Sequence, residues 1–272
     1  MPQPDPLIQA SNFDFVCEVE AQYTALLRGA GAHQDVDPAL GGKLLYAGDL
    51  VPCGRALLVA GNIAGAASIA ASGDPIAQKQ AVRDGVADFL VTSLDEALRI
   101  LKNEIRKHET VAVCVAAAPE VIEREMRERG VAPDLLGSNL DCRESSSAGF
   151  LEDEEAEGAG ERILVGWSVA AAPARWLPKL DALAVDCFAG GVHPDAGALR
   201  RWLRLSPRYL GRLAQGFRFV HGTRETAQEF AVRVCNAVAH AGIETAVRVS
   251  LNRDEEVLLF EPPGKEPSQP AR

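Results

Sequence analysis

The feature that most constrains the fold of this chain is a regular alternation of short apolar runs with helical patterns over residues 43–136. The runs at 44–47, 68–71, 89–91 and 111–117 have the length and apolar character of buried strands. The last of them lacks polar alternation, which is typical of a parallel strand covered on both faces. Strands and helices in strict alternation imply right-handed βαβ crossovers. We therefore predict the α/β class, with a Rossmann-like doubly wound parallel sheet.

Capping signals mark where the predicted helices begin and end. Asp74 followed by Pro75 is typical of a helix start, and Gly85 is typical of a helix end. Ser93 and Glu96 have the spacing of a capping box, in which each side chain bonds a backbone N–H at the start of the helix. These signals agree with the strand positions above, so the order of elements is well defined.

Composition divides the chain into five segments. We predict an N-terminal helical segment at 1–42, the Rossmann-like domain at 43–140, an acidic linker at 141–162, a smaller C-terminal α/β lobe at 163–262 and a disordered tail at 263–272. In the C-terminal lobe we predict strands at 163–167, 183–188, 217–220, 245–249 and 257–260, and helices at 196–205 and 226–240.

The charge balance excludes some classes of function. The 272 residues carry 28 basic and 38 acidic side chains, hence a net charge of −10, which argues against nucleic-acid binding. No apolar run approaches the roughly 20 residues of a membrane span, and the first residues do not resemble a signal peptide. We therefore expect a cytoplasmic protein. The six cysteines are scattered without metal-ligand spacing, and we predict no metal site.

Several short motifs occur in a fixed order over residues 42–136. They are GKLL at 42–45, small residues at 56, 60, 64 and 65, QK at 78–79 with Gly85, LDEA at 94–97, and a run over 120–130 followed by VAPD at 131–134. Together they resemble the central NAD-binding domain of urocanase (urocanate hydratase), which adds water to urocanate in histidine breakdown. GFRFV at 216–220 is similar to a further motif of that family. The resemblance implies a Rossmann-like fold, and NAD as the cofactor.

The departures from the family pattern lie where that cofactor would bind. The family's glycine-rich loop corresponds to 49–57, where only Gly54 has a counterpart among the family's glycines. Pro52 removes an amide donor, and Asp49 adds a charge that repels phosphate. The segment 139–144 lacks the family's QTS core and histidine, and the family's cysteine-bearing signature is absent. We therefore expect no urocanate hydratase activity and assign no catalytic residue.

One interpretation of the same turn is that it still binds a nucleotide or another small anion. Arg55 supplies a guanidinium, which can bind phosphate in place of glycine amides. The candidate cofactor-binding residues are Gly48, Gly54, Arg55 and Ser72. The alternative is that the turn is now only structural.

Residues 200–224 contain seven arginines and no acidic residue, so this segment is basic in an otherwise acidic chain. They are Arg200, Arg201, Arg204, Arg208, Arg212, Arg218 and Arg224. An anion-binding face is one interpretation, with Arg200, Arg204, Arg208 and Arg218 as its candidates. The other is a solvated helix face with ordinary loop arginines.

A glycine-containing segment at 187–195 follows the strand predicted at 183–188. Cys187 is a conceivable nucleophile, and His193 and Asp195 are close enough in sequence to orient one another. The simpler interpretation is a turn in which Asp195 caps the next helix.

Three functional hypotheses follow. The first is a diverged urocanase-like protein without hydratase catalysis that binds a small anion or a partner. The second is an active lyase or accessory enzyme of histidine metabolism with altered nucleotide binding. The third is an interaction module that forms a homo-oligomer, most simply a homodimer.

Overall fold

A computed structural model of the chain describes residues 10–33, 35, 37–137, 162–190, 196–211, 216–240, 242–252 and 256–263. Most of the predicted acidic linker (141–161) and of the predicted tail (264–272) therefore lies outside the described residues, as do Arg212, His193 and Asp195.

The first half of the chain forms a five-stranded parallel sheet, which confirms the predicted fold class. Its elements are α1 (Ala10–Gly29), β1 (Leu44–Tyr46), α2 (Pro52–Ala64), β2 (Ala67–Ala71), α3 (Pro75–Arg83), β3 (Phe89–Val91), α4 (Leu94–Lys107), β4 (Val111–Val115), α5 (Pro119–Glu128) and β5 (Leu135–Leu136). The strand order is β3-β4-β2-β1-β5, and every pairing is parallel.

Side chains of the central strands alternate between two cores, as in a doubly wound sheet. Leu45, Ala70 and Cys114 pack in the core that contains α1 and α2. Ile69 and Val113 pack with α4 and α5 on the opposite face. The absence of polar alternation in the sequence of β4 follows from this burial on both faces.

The predicted helix starts are confirmed by their hydrogen bonds. Asp74 accepts a bond from Ile76 N–H at 2.8 Å, and Ser93 Oγ accepts one from Glu96 N–H at 3.3 Å. The reciprocal bond of the capping box runs from Thr92 N–H to the Glu96 carboxylate at 3.0 Å, one residue earlier than the ideal motif.

The second half folds as a smaller lobe around an antiparallel sheet. Its elements are β6 (Arg162–Val169), α6 (Pro173–Phe188), α7 (Ala196–Leu210), β7 (Phe217–Thr223), α8 (Arg224–Ala239), β8 (Val247–Leu251) and β9 (Glu256–Phe260). The strand order is β7-β6-β8-β9. The strand predicted at 183–188 is wrong, because these residues end α6. The buried residues Trp176, Leu180, Ala184 and Cys187 recur at helical spacing, so the apolar run at 183–188 belongs to the same helical stripe.

Helix α1 connects the two halves. The Tyr23 hydroxyl donates to the Ala198 carbonyl of α7 at 2.8 Å, and its ring centroid lies 5.5 Å from that of Trp202. His221 Nδ1 of β7 lies 3.0 Å from a Glu20 carboxylate oxygen. The buried residues of α1, α2 and the second lobe consequently form one continuous core.

Candidate functional site

The candidate site lies at the carboxyl edge of the parallel sheet, where ligands of open α/β sheets bind. Here the turn after β1 leads into α2, and the turn after β2 leads into α3. Both helices begin with a proline, Pro52 and Pro75, so each first turn lacks one backbone donor. The ligands that this edge can bind depend on the hydrogen-bond donors and the charges that these two turns present.

Gly54 packs closely against the backbone of its own turn. A Cβ atom at this position would lie 1.9 Å from the backbone oxygen of Asp49 and 3.1 Å from that of Ala47. The missing side chain therefore lets the first turn of α2 press against the loop that follows β1. Backbone oxygens of Asp49 and Ala47 thus occupy the space beside Gly54.

The start of α2 has no side-chain cap. Val51 occupies the cap position with an extended backbone and is half exposed, and the first bond of the helix runs from Arg55 N–H to Val51 O at 2.9 Å. The Asp49 carboxylate accepts a bond from Leu50 N–H at 2.7 Å, which holds a negative charge in the loop beside this helix end. That charge satisfies the electrostatic preference of the helix N-terminus and repels a phosphate.

Arg55 points toward the end of α3. Its Nη2 atom lies 2.6 Å from Asp84 Oδ2, and Gln80 Nε2 donates to the other carboxylate oxygen at 2.8 Å. The guanidinium therefore already has an anionic partner within the chain. A phosphate at this place would compete with Asp84 for Arg55.

Gly48 and Ser72 support the adjacent strand ends. Gly48 has φ +76° and accepts a bond from Ala71 N–H at 2.9 Å. Ser72 is buried, its N–H donates to Val115 O at 3.1 Å, and its carbonyl accepts from Gln78 Nε2 at 2.7 Å. Gly48, Gly54, Arg55 and Ser72 thus lie along one edge, each with a contact inside the chain. Ligand binding by this set stays a prediction.

Cys114 lies on β4 under the same edge. Burial, with a smaller contribution from the nearby Asp49 charge, raises the pKa of its thiol to about 11. A thiol with this pKa is protonated at neutral pH and is a poor nucleophile. Burial also raises the pKa of Cys187, which lies at the end of α6. Its predicted neighbours His193 and Asp195 are outside the described residues, so that constellation stays a prediction.

The six described arginines of the predicted anion-binding face have partners within the chain. Arg200 donates to Ala189 O at 2.9 Å, Arg201 to Ile63 O at 2.7 Å, and Arg204 to Asp37 at 3.1 Å; Arg208 lies over the ring of Tyr209, Arg218 pairs with Asp181 at 3.2 Å, and Arg224 with Glu256 at 3.7 Å. These partners are spread over α2, α6 and the residue after it, α7, β9 and the loop before β1. The structure therefore distributes the candidates Arg200, Arg204, Arg208 and Arg218 over several contacts, and anion binding by them stays a prediction.

A network beneath β6 and β7 has no counterpart among the predictions from the sequence. Asp181 on α6 accepts a bond from the Trp167 indole at 3.1 Å and pairs with Arg218, whose Nη1 also donates to Phe217 O at 2.9 Å. Burial raises the pKa of Asp181, although Arg218 and the indole oppose the shift. In the sequence, the signal for this site is the helical spacing of Trp176, Leu177 and Leu180 around Asp181, which places the acid beside a buried helix face.

None of the described helices is long and apolar enough to cross a membrane. Within the same residues, no group of three or more His, Cys, Asp or Glu side chains is arranged to hold a metal ion.

The family model of the urocanase Rossmann-like domain matches residues 19–151. The match begins within α1 and includes all five strands of the parallel sheet. It includes the turn at Gly54 and the turn at Ser72.

Proposed function

Residues 19–151 match the family model of the urocanase Rossmann-like domain, and from this premise we propose that the chain is a diverged urocanase-like protein without urocanate hydratase activity. The observation that carries the proposal is the packing of Gly54 against the Asp49 carbonyl. In a dinucleotide site, such a glycine admits the pyrophosphate to the helix N-terminus. Here the same position is closed by backbone atoms of the preceding loop.

Three neighbouring features support the proposal. Pro52 removes a donor from the first turn of α2. The Asp49 carboxylate is hydrogen-bonded within the loop and adds a negative charge there. Arg55 is neutralised by Asp84. The residues present therefore do not fit the pyrophosphate of NAD. The proposal retains the cytoplasmic location expected from the sequence.

The decisive experiment measures urocanate hydration and NAD binding in parallel. The purified chain is incubated with urocanate, with and without 1 mM NAD. This concentration is 100 times a dissociation constant of about 10 μM, so a site of that affinity would be saturated. Urocanate is followed by its ultraviolet absorbance, and an authentic urocanase under the same conditions shows that the assay works. We expect no loss of absorbance with this chain in either condition.

Thermal unfolding of the same samples tests the cofactor directly. Bound NAD at 100 times its dissociation constant would add about 2.7 kcal/mol of stability and raise Tm by about 5–10 °C. We expect no shift. A shift with unchanged urocanate would support a repurposed nucleotide site and contradict the closed turn. NAD-dependent loss of urocanate would contradict the proposal and favour an active lyase with altered nucleotide binding.

The Arg55–Asp84 pair offers a matched control for any shift that is seen. If a phosphate-bearing ligand binds at this turn, Arg55→Gln should abolish the shift, whereas Asp84→Asn should enlarge it by freeing the guanidinium. A ligand bound elsewhere would give the same shift in both variants.

A further inference from the structure

Cys53 differs from the other described cysteines because it is disulfide-bonded. The free cysteines of the described residues are Cys17, Cys114, Cys187 and Cys235. The remaining cysteine of the sequence is Cys142, which lies outside the described residues. Since a disulfide joins two cysteines and the other four are free thiols, Cys142 is left as the partner of Cys53.

Cys53 lies in the turn that forms the candidate site, as the second residue of α2. Its Sγ atom accepts a hydrogen bond from Gln22 Nε2 of α1 at 3.9 Å, and its side chain is half-buried. Residues four positions apart share a face of a helix, so Cys53 lies one turn from Leu57 on the same face. Leu57 is fully buried in the core that contains α1. The sulfur of Cys53 is therefore on the side of α2 that faces α1.

The chain leaves β5 beside this face of α2. Strand β5 pairs in parallel with β1, so both strands end at the carboxyl edge of the sheet. Gly137 follows β5 directly, and a Cβ atom there would lie 2.7 Å from the Leu57 side chain and 3.5 Å from Ala47 O. The chain after β5 thus starts against the residue that lies one helical turn from Cys53.

The chain between Gly137 and Cys142 is long enough for the bond. The five residues from 138 to 142 can span about 17 Å when extended. Cys53 and Leu57 are separated by only about 6 Å along the helix axis. Bonded cysteines have Cα atoms about 5.5–6 Å apart. Cys142 can therefore reach Cys53 without any displacement of α2 or β5.

We propose that Cys53 and Cys142 form a reversible disulfide, which makes the first turn of α2 a site of redox modification. The bond joins this turn to the segment that follows β5, and the loop it closes contains most of the parallel-sheet domain. In a reducing compartment, such as the cytoplasm expected for this chain, disulfides are typically transient and redox-sensitive. The inference does not depend on the absence of urocanate hydratase activity.

The oxidant that suits this pair is a small disulfide, such as glutathione disulfide. The Cys53 thiolate attacks one glutathione sulfur and releases a glutathione thiolate, and the Cys142 thiolate then attacks Cys53 Sγ and releases the second. One S–S bond forms in the protein and one breaks in the reagent. Two electrons and two protons pass from the protein thiols to the two glutathione molecules. Cys53 is only half-buried, so the reagent can reach its sulfur.

Peptide mapping tests the pairing directly. Trypsin cleaves after lysine and arginine, so it releases Cys53 within residues 44–55 and Cys142 within residues 130–143, each without a second cysteine. The full chain is treated with glutathione disulfide, blocked with N-ethylmaleimide and digested without reduction. Mass spectrometry should then find these two peptides joined, and treatment of the folded chain with excess reduced glutathione should separate them.

Three results of this mapping would overturn the proposal. They are two separately blocked peptides after oxidation, a bond from either peptide to a different cysteine, and a joined pair that survives reduced glutathione. The last result would identify a permanent structural cross-link in place of a reversible one.

Thermal unfolding measures the effect of the bond on the fold. A cross-link that closes a long loop restricts the unfolded chain, so the oxidised wild type should have a Tm about 5–10 °C above that of the chain reduced with dithiothreitol. Cys53→Ser and Cys142→Ser should each remove this difference. Cys235→Ser is the matched control, because it removes an exposed free thiol, and it should retain the difference.

A Tm difference that persists in Cys142→Ser, or that is lost in Cys235→Ser, would contradict the pairing. These measurements use neither NAD nor urocanate. Failure of the disulfide is therefore distinguishable from failure of the proposed function.

Discussion

The parallel-sheet domain and the antiparallel lobe differ in how they accommodate buried polar groups. In the former, the buried polar side chains Asn62, Ser68 and Gln78 are neutral. In the antiparallel lobe, Asp181 and Arg218 form an ion pair whose side chains are 17% and 11% exposed. The pair lies under Trp167, which is fully buried and donates to the same carboxylate.

This difference indicates two ways of specifying a fold. The parallel-sheet domain depends on shape, because small residues of α2 approach β1 and its turn more closely than any larger side chain would allow. At Gly61, a Cβ atom would lie 2.6 Å from the Leu45 side chain. The antiparallel lobe uses glycine in the same way, since a Cβ atom at Gly166 would lie 2.7 Å from the Phe217 ring. It adds a pairing of charges that is costly to break. The antiparallel lobe should therefore be the half that is sensitive to the loss of a buried charge.

The largest effect is expected from Asp181→Ala. It removes the carboxylate that accepts from Arg218 Nε and from the Trp167 N–H, and removing one partner of a buried pair costs about 3–5 kcal/mol. The free energy of unfolding, measured by urea denaturation, should fall by this amount. Asp181→Asn keeps an acceptor for the indole and should cost less. Equal losses in the two variants would show that the charge of Asp181 contributes nothing.

Gly54→Ala is expected to be next in size and tests the role of shape in the first half. Its Cβ would meet a backbone oxygen that cannot move without displacing the β1–α2 turn, so we expect a loss of about 3 kcal/mol. Gly216→Ala is the control, because a Cβ there meets nothing within 4 Å and its backbone shows no positive φ. A Gly54→Ala variant as stable as Gly216→Ala would contradict the closed turn.

Sequence reasoning was most accurate where the relevant interactions are local. The strand and helix pattern of the first half and the caps at Asp74 and Ser93 depend on residues a few positions apart. The contacts of the arginines do not. Arg201 bonds Ile63, 138 positions away, and Arg55 pairs with Asp84, 29 positions away. The apolar run at the end of α6 fits a strand and a helix equally well when its helical context is ignored, so the run alone predicts the wrong element.

The third prediction separates a structural arginine from a solvated one within the same helix. Arg201 is 11% exposed and donates to Ile63 O at the end of α2, so Arg201→Met should cost about 2 kcal/mol by leaving that carbonyl unsatisfied. Arg204 is 59% exposed and pairs with Asp37. Arg204→Met should cost less than about 1 kcal/mol. Thermal unfolding of the two variants measures the difference. Equal losses of stability below about 1 kcal/mol would indicate that both arginines lie on a solvated face of α7.

The smallest effect is expected from Asp84→Asn, and it links the comparison of the two halves to the candidate site. The Arg55–Asp84 pair lies at the surface of the parallel-sheet domain, with Asp84 40% exposed. Solvent screens such a pair, so its loss should cost about 0.5 kcal/mol, far less than the loss of Asp181. Because the effect on folding is small, any new affinity of the variant for inorganic phosphate can be attributed to the released Arg55 guanidinium. Calorimetric titration with phosphate measures it, and a loss of stability comparable to that of Asp181→Ala would instead show that the first half also depends on a buried pairing of charges.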